Sequence, residues 1–312
     1  MVERIIIDCD PGSDDALAII LALSAGLNVE AVCSVTGNGQ IDTTTRNACN
    51  ILSLCGRSDV PVYRGSAVAL DQQVPDTVEA FGDDGLGGYA DTIESDKHEE
   101  STPAVDFLVD YVLAHPGEVT LFAIGPCSNI AIAIRRSTEF ASALNRLIIM
   151  GGAKSTGNMS PVAEYNFWAD PIAAHEVLQA GISDVTMIGL DVTNRIALDC
   201  EHREIIRMMG TPLAQFVYNI TREGLEDNWR TRRKAVSPLH DVLTVAYRLD
   251  SNVIQTCPAF IDVVTDGIAR GQSVVDIDGH WHEGQTNAKY AADVDVHAFF
   301  ELFLSTVFGL QS

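Results

Sequence analysis

Apolar runs of strand length alternate along this chain with stretches in which apolar residues recur every three or four positions. Arg4–Asp8 is a short apolar run of the kind that forms a buried strand, and Pro11-Gly12 ends it. Ala16, Leu17, Ile20 and Leu21 then follow at helical spacing, which predicts a helix from Ser13 or Asp14 to about Ala25 with Ser13 as its N-cap. The alternation continues through a strand at Val29–Val35, a helix at Thr43–Leu54, a strand at Val119–Ile124 and a helix at Ser128–Arg135. Leu147–Met150 reads as strand, Asp170–Gln179 as helix and Val185–Leu190 as strand, while residues 200–250 read as helical and Val296–Phe308 as the last helix. Strands alternating with helices imply right-handed βαβ units, hence an α/β fold: a mostly parallel, Rossmann-like open sheet flanked by helices. No internal repeat is visible, and residues 1–312 read as one domain.

In such sheets the ligand crevice lies beyond the carboxyl ends of the strands, so the residues that follow each strand carry the chemistry. Here they are polar or glycine: Asp8-Cys9-Asp10-Pro11-Gly12-Ser13-Asp14-Asp15, Thr36-Gly37-Asn38-Gly39, Gly125-Pro126-Cys127-Ser128-Asn129, Gly151-Gly152 and Asp191. The first group is the most informative. Asp14 and Asp15 alone are ordinary helix-start acids, but that does not account for Asp8 and Asp10, which a strand places on one side with Cys9 on the other. Carboxylates this close repel, so either some are protonated or a cation sits among them, and the cation is the reading preferred. All-oxygen ligands disfavour zinc and favour calcium or magnesium; carboxylates from distant segments plus a main-chain carbonyl suit the roughly six to eight ligands of calcium.

Two further constellations are weaker by themselves. His240-Asp241 follows Ser237-Pro238-Leu239 and opens a helix at Val242–Leu249, where Asp241 could add a carboxylate and His240 could face a substrate. An isolated His-Asp pair is more often a helix-start acid beside a satisfied histidine. Glu164-Tyr165-Asn166, after Gly157-Asn158, could hydrogen-bond vicinal hydroxyls if extended, with Glu164 and Asn166 on one face. His280-Trp281-His282-Glu283 has alternate histidines, but on a hairpin near glycine these are more often plain surface residues.

Composition narrows the partners. With 43 acids against 20 bases the net charge is −23, which repels phosphate backbones and anionic lipids, so nucleic acid and membrane are disfavoured. The seven cysteines are scattered without a C-x-x-C pair, as expected in a reducing cytosol, and Met1–Asp8 reads as neither a signal peptide nor a membrane span.

Taken in order, Asp8-Cys9-Asp10-Pro11-Gly12-Ser13-Asp14-Asp15-Ala16, Thr36-Gly37-Asn38, Ile124-Gly125-Pro126, Ser128-Asn129-Ile130-Ala131, Met150-Gly151-Gly152, Glu164-Tyr165-Asn166 and His240-Asp241 span nearly the whole chain. Together they resemble the inosine-uridine nucleoside hydrolase family. The resemblance implies hydrolysis of the N-glycosidic bond of ribonucleosides to ribose and free base. It implies Ca²⁺ held by Asp10, Asp15 and Asp241 and by the main-chain carbonyl of Ile124, with Asp10 as general base on the metal-bound water. It also implies that Asp14, Asn38, Asn158, Glu164 and Asn166 hold the ribose, with Met150 packed beneath it, and that the protein is a homodimer or homotetramer. Calcium polarises water less strongly than zinc, so a carboxylate must take the proton; attack from the metal side implies inversion. His240, with a near-neutral ordinary pKa, is the expected acid for the leaving base.

Two positions depart from the family pattern. In Phe81-Gly82-Asp83-Asp84-Gly85-Leu86-Gly87-Gly88, Phe81 stands where many relatives carry histidine; it can stack on a base but not protonate it. The helical segment Glu223–Arg233 lacks a tyrosine often found there, and its only aromatic, Trp229, is the other candidate for the base. His240 stands where strictly purine-specific relatives have tryptophan, which implies a pyrimidine-accepting or broad specificity. A haloacid-dehalogenase-type phosphatase also begins with Asp-x-Asp, but Pro11-Gly12-Ser13 and the pair Asp14-Asp15 fit it poorly. An EF-hand lacks its loop length and closing glutamate here. A calcium-dependent protein that binds nucleosides without turnover is the non-enzymatic alternative.

Overall fold

The computed structural model describes residues 3–73 and 82–310. In it Arg4–Cys9 forms strand β1, of which all but Arg4 is buried. Ile5, Ile7 and Cys9 enter one apolar layer and Ile6 the layer on the opposite face. A strand covered on both faces must be apolar on both, which is why this segment reads as a continuous run rather than an alternation.

On one side of β1 lie β2 (Val29–Ser34) and β3 (Val62–Arg64), and on the other β4 (Val119–Ala123), β5 (Arg146–Met150) and β6 (Val185–Ile188), all parallel. A short antiparallel pair, β7 (Ala197–Asp199) with β8 (Val236–Pro238), stands apart from this sheet. The chain then adds β9 (Ile254–Val263), β10 (Ser273–Ile277) and β11 (Ala288–Val294) beyond β6, giving the order β10-β9-β11-β6-β5-β4-β1-β2-β3. β11 runs parallel to β6, while β9 is antiparallel to both β11 and β10. The result is a single α/β domain with a large, mostly parallel sheet flanked by helices, as the pattern predicted. Among the described residues no helix is long and apolar enough to cross a membrane.

The differences from the sequence reading are local and have causes. Gly12, not Ser13, caps the first helix (Ser13–Ser24), because the Asp15 carboxylate turns back to accept the Gly12 N–H. The predicted helical stretch 200–250 is three helices, Cys200–Met208, Pro212–Arg232 and Val242–Leu249, with β8 between the last two. Strands β9 to β11 were not predicted: β9 contains Pro258 and its burial is irregular, so neither a buried run nor a clean alternation marks it.

β2 and β3 follow β1 in one direction, and β4 returns to its other side. That makes the β1–β4 boundary the place where strand order reverses, the favoured crevice of an open α/β sheet. Asp10 leaves the end of β1 there, Ile124-Gly125 the end of β4, and Met150-Gly151 the adjacent end of β5.

Candidate active site

The crevice holds a cavity of about 170 Å³. Its floor is formed by Asp14, Asn38, Ile124, Met150, Asn158, Glu164, Asn166 and Asp241, and His240 lies at its side. Eight residues named from sequence as site candidates, drawn from segments far apart in the chain, therefore meet His240 around one space. Asp10 and Asp15 lie immediately beneath, both essentially inaccessible to solvent.

The backbone builds this floor by crossing hydrogen bonds. Asp15 accepts from the N–H of Asp10 (3.1 Å) and of Gly12 (2.9 Å), and from the Asn38 side-chain amide (3.0 Å). Asp10 accepts from the Asn38 backbone N–H at 2.6 Å. Gly37 is what permits this approach, since a Cβ there would lie 2.0 Å from the Asp10 Oδ2. Asp241 starts the helix Val242–Leu249, yet its side chain makes no capping bond. Its carboxylate instead comes together with those of Asp14 and Asp15, with one oxygen from each within 4.8 Å of the others. The helix-start explanation of Asp241 therefore does not account for where its side chain goes.

Four carboxylates, Asp10, Asp14, Asp15 and Asp241, are thus buried together. No basic side chain hydrogen-bonds to them among the described residues, and Asp10 Oδ1 and Asp14 Oδ1 have no partner at all. Burial pushes the carboxyls of Asp10, Asp14 and Asp241 well above the ordinary range, and their mutual repulsion adds to it. Burial alone raises Asp15, to about 6, against the hydrogen bonds that hold it down. Orphaned carboxylate oxygens in an anionic, all-oxygen cluster are the donor set a hard divalent cation requires. Asp8 does not join them. It points to the other side of β1's end, where it accepts from Asn129 Nδ2 at 2.8 Å, and burial raises it to about 7.

The Glu164 loop completes the floor. Glu164 and Asn166 are not extended, as their spacing suggested: Glu164 caps the short helix Tyr165–Ala169, and Asn166 lies within it. Glu164 accepts the backbone N–H of Gly152, Asn166 and Phe167, and burial still raises it to about 7. Asn166 donates to the carbonyl oxygens of Ile124 (3.0 Å) and Met150 (3.1 Å), which fixes its amide over the floor. The Ile124 carbonyl keeps a second lone pair for another partner.

Facing the floor is the helix Pro212–Arg232, which contributes Gly224, Asp227, Asn228 and Arg232, with Ser237 and Pro238 of β8 beside it. Gly224 costs this long helix about 1 kcal/mol relative to alanine. A Cβ there would stand 2.7 Å from the Ser237 hydroxyl, so the glycine lets helix and strand close on the cavity. None of these six was singled out from sequence as a site residue, nor were Met159 and Tyr165, which also line it; Gly224 in mid-helix was the available signal.

Two expectations for the leaving group, on Trp229 and His240, change, and a third falls on a residue that is not described. Trp229 does not line the cavity: Gly224, Asp227 and Asn228 share the inward face of their helix, and Trp229, rotated off it, is 53% exposed beneath the Arg233 guanidinium. Phe81 lies outside the described residues. His240 does border the cavity, but its ring is not near-neutral in pKa; burial lowers it to about 4, and the nearby positive charge of Arg232 adds to this. The ring is held by Nδ1 against the Thr193 hydroxyl at 2.8 Å, and the His240 backbone N–H supports Asp14. His280 and His282 remain surface residues, with His282 bonded to Asp276 and stacked on Phe260.

Comparison with known proteins identifies the family of the chain. The family model for inosine-uridine preferring nucleoside hydrolase matches residues 5–301. A pyrimidine-specific ribonucleoside hydrolase RihA of Salmonella arizonae is 36% identical over 97% of both chains. Among solved structures, a plant nucleoside hydrolase superposes with a TM-score of 0.93 at 29% identity, covering 99% of this chain and 100% of that one. A purine-preferring ribonucleoside hydrolase from Gardnerella vaginalis gives 0.91 at 29% identity over 98% of each.

Proposed function

Since the chain belongs to the inosine-uridine preferring nucleoside hydrolase family and is an N-glycosyl hydrolase, we propose that it is a calcium-dependent ribonucleoside hydrolase of pyrimidine-accepting or broad base preference. The observation that carries the reading is the buried carboxylate floor with its two orphaned oxygens, facing His240 across one cavity. Asp10, Asp15, Asp241 and the Ile124 carbonyl would hold Ca²⁺. Bound there, the ion would supply positive charge that acidifies water and orients the ribose hydroxyls.

The chain's own groups do the rest. Asp10 Oδ1, free of other partners, takes the proton of the attacking water as oxygen bonds to C1′. Asp14, Asn38, Asn158, Glu164 and Asn166 hold the ribose over Met150, and the anionic floor stabilises the oxocarbenium-like sugar as the C1′–N bond breaks. Water arrives from the floor and the base leaves on the His240 side, so the configuration inverts. With Nδ1 engaged by Thr193, the neutral His240 ring has its other nitrogen for the departing base, which it assists by donating a hydrogen bond. The base-specific relatives differ, pyrimidine-specific in one and purine-preferring in another; the greater identity to the pyrimidine-specific enzyme supports pyrimidine acceptance. We further read residues 1–312 as one domain, acting in the cytosol as a homodimer or homotetramer; seven free cysteines support the reducing compartment.

The test is ribose release from uridine, cytidine, inosine, guanosine and the 2′-deoxy forms with calcium present. Ribose from uridine and cytidine is expected, with deoxyuridine poorer by up to about 10⁴-fold because the floor is built to engage hydroxyls. No ribose from any of them refutes the function, and equal rates on uridine and deoxyuridine remove the ribose roles.

A further inference from the structure

A second cavity, of about 280 Å³, adjoins the first and shares Asn228, Arg232 and Pro238 with it. Beyond that shared wall it is lined by Thr156, Asn194 and Lys234. Its electrostatics are opposite to those of its neighbour. The first cavity is bordered by Asp14, Glu164, Asp227 and Asp241, whereas no acid lines the second among the described residues. Four of the chain's 20 bases fall within five positions here, Arg230, Arg232, Arg233 and Lys234. Arg230 pairs with Asp227 at 2.8 Å, and Arg233 lies over Trp229 and bonds its carbonyl. Arg232 and Lys234 form no ion pair among the described residues, although the chain carries 43 acids. The Lys234 backbone N–H donates to the Asn228 carbonyl, which ties this segment to the helix end beside the cavity.

Two unpaired cations around an acid-free space, in a chain of charge −23, form a local trap for an anion. Because Arg232 borders both cavities, an anion held there can be covalently part of a molecule whose ribose occupies the first. We propose that the second cavity is an annex that takes an anionic substituent of the nucleoside substrate. This rests on the nucleoside hydrolase reading and narrows its substrate class. The substituent is either a carboxylate on the base or a phosphate on the 5′ carbon; in both cases the charge is steered away from the acidic floor.

The experiment measures kcat and KM of the calcium-loaded enzyme for uridine, 6-carboxyuridine and uridine 5′-monophosphate, with wild type and Lys234→Glu. Lys234 borders only the annex and is exposed, so the variant should fold and treat uridine as wild type does. The annex predicts that at least one anionic substrate is hydrolysed, and that Lys234→Glu raises its KM about tenfold with little change in kcat. Which one responds identifies the substituent. Lys234→Gln, which only neutralises the charge, should give a smaller rise in the same direction. Hydrolysis of uridine with neither anionic substrate accepted overturns the annex and leaves the nucleoside reading standing. So does a Lys234→Glu effect that is absent or equal for all three substrates. Turnover of an anionic substrate without uridine supports the annex and confines the activity to charged nucleosides, while no turnover of any of the three refutes both.

Discussion

The floor and the facing wall of the cavity are built on different principles. The floor hangs from the ends of β1, β4 and β5 and from three helix starts, and Asp10, Asp14, Asp15, Asp241, Glu164 and Asn166 are each at most 5% exposed. Asp10, Asp15 and Glu164 in it accept backbone N–H groups, while Asp10 Oδ1 and Asp14 Oδ1 have no partner. The wall is one long helix and the following strand, where Arg232 and Trp229 are exposed and the His240 ring is anchored by a single hydroxyl. A rigid, fully desolvated floor suits the part of the reaction common to all ribonucleosides, the sugar and its charge. An open helical wall can change its side chains at little cost to the fold, which suits the part that differs between bases.

If that division holds, substitutions in the floor should cost turnover and substitutions in the wall should alter selection. The largest effect is expected for Asp10→Asn, which keeps an oxygen ligand but removes the base: kcat should fall by about 10³-fold or more while KM moves only a few-fold. Steady-state kinetics on uridine check this, and near-normal kcat would place the base elsewhere in the floor. His240→Ala should lower uridine turnover by about 10²-fold yet spare p-nitrophenyl riboside, whose leaving group needs no donor. Equal loss on both substrates would show that the change had reached Asp241 and the floor, and so would blur the division.

The floor also has a stability signature. Burial holds the folded carboxyls above their ordinary values, Asp15 near 6 and Glu164 near 7. In metal-free protein they keep protons that the unfolded chain has released, so stability should fall as pH rises from about 4 to 7. Calcium binds the charged form, so its stabilising shift in Tm should grow over the same interval, reaching several degrees at saturating ion. Thermal unfolding with and without calcium at pH 5 and 8 measures it, and a shift independent of pH would mean that the cluster is not the site. The smallest effect is expected at Trp229: as it faces solvent, Trp229→Ala should change KM for uridine by less than about twofold. A large rise would bring the ring back to the base and contradict the wall as described.

The two regions also differ in how far the sequence disclosed them. Asp10, Asp14, Asp15 and Asn38 sit after strands or at a helix start, where the fold class already says a ligand binds, and the aspartates are too concentrated to be surface. Asp241 is ambiguous in sequence, because a helix start favours an acid with or without a ligand; its side chain makes no capping bond. The wall was less legible because helix residues reveal their face only once the partner surface is known. Gly224, Asp227 and Asn228 form one stripe and Trp229 another, and the glycine in mid-helix is the one local sign of which turns inward. The same holds for the strands β9 to β11, whose half-exposed pattern carries little periodic signal.

The most direct test of the central claim, that the carboxylate floor works by holding a divalent cation, is uridine hydrolysis by protein stripped of metal and then titrated with calcium. Metal-free enzyme should release no measurable ribose, and activity should recover fully at about one calcium per chain. Full turnover in protein shown to contain no metal would contradict it.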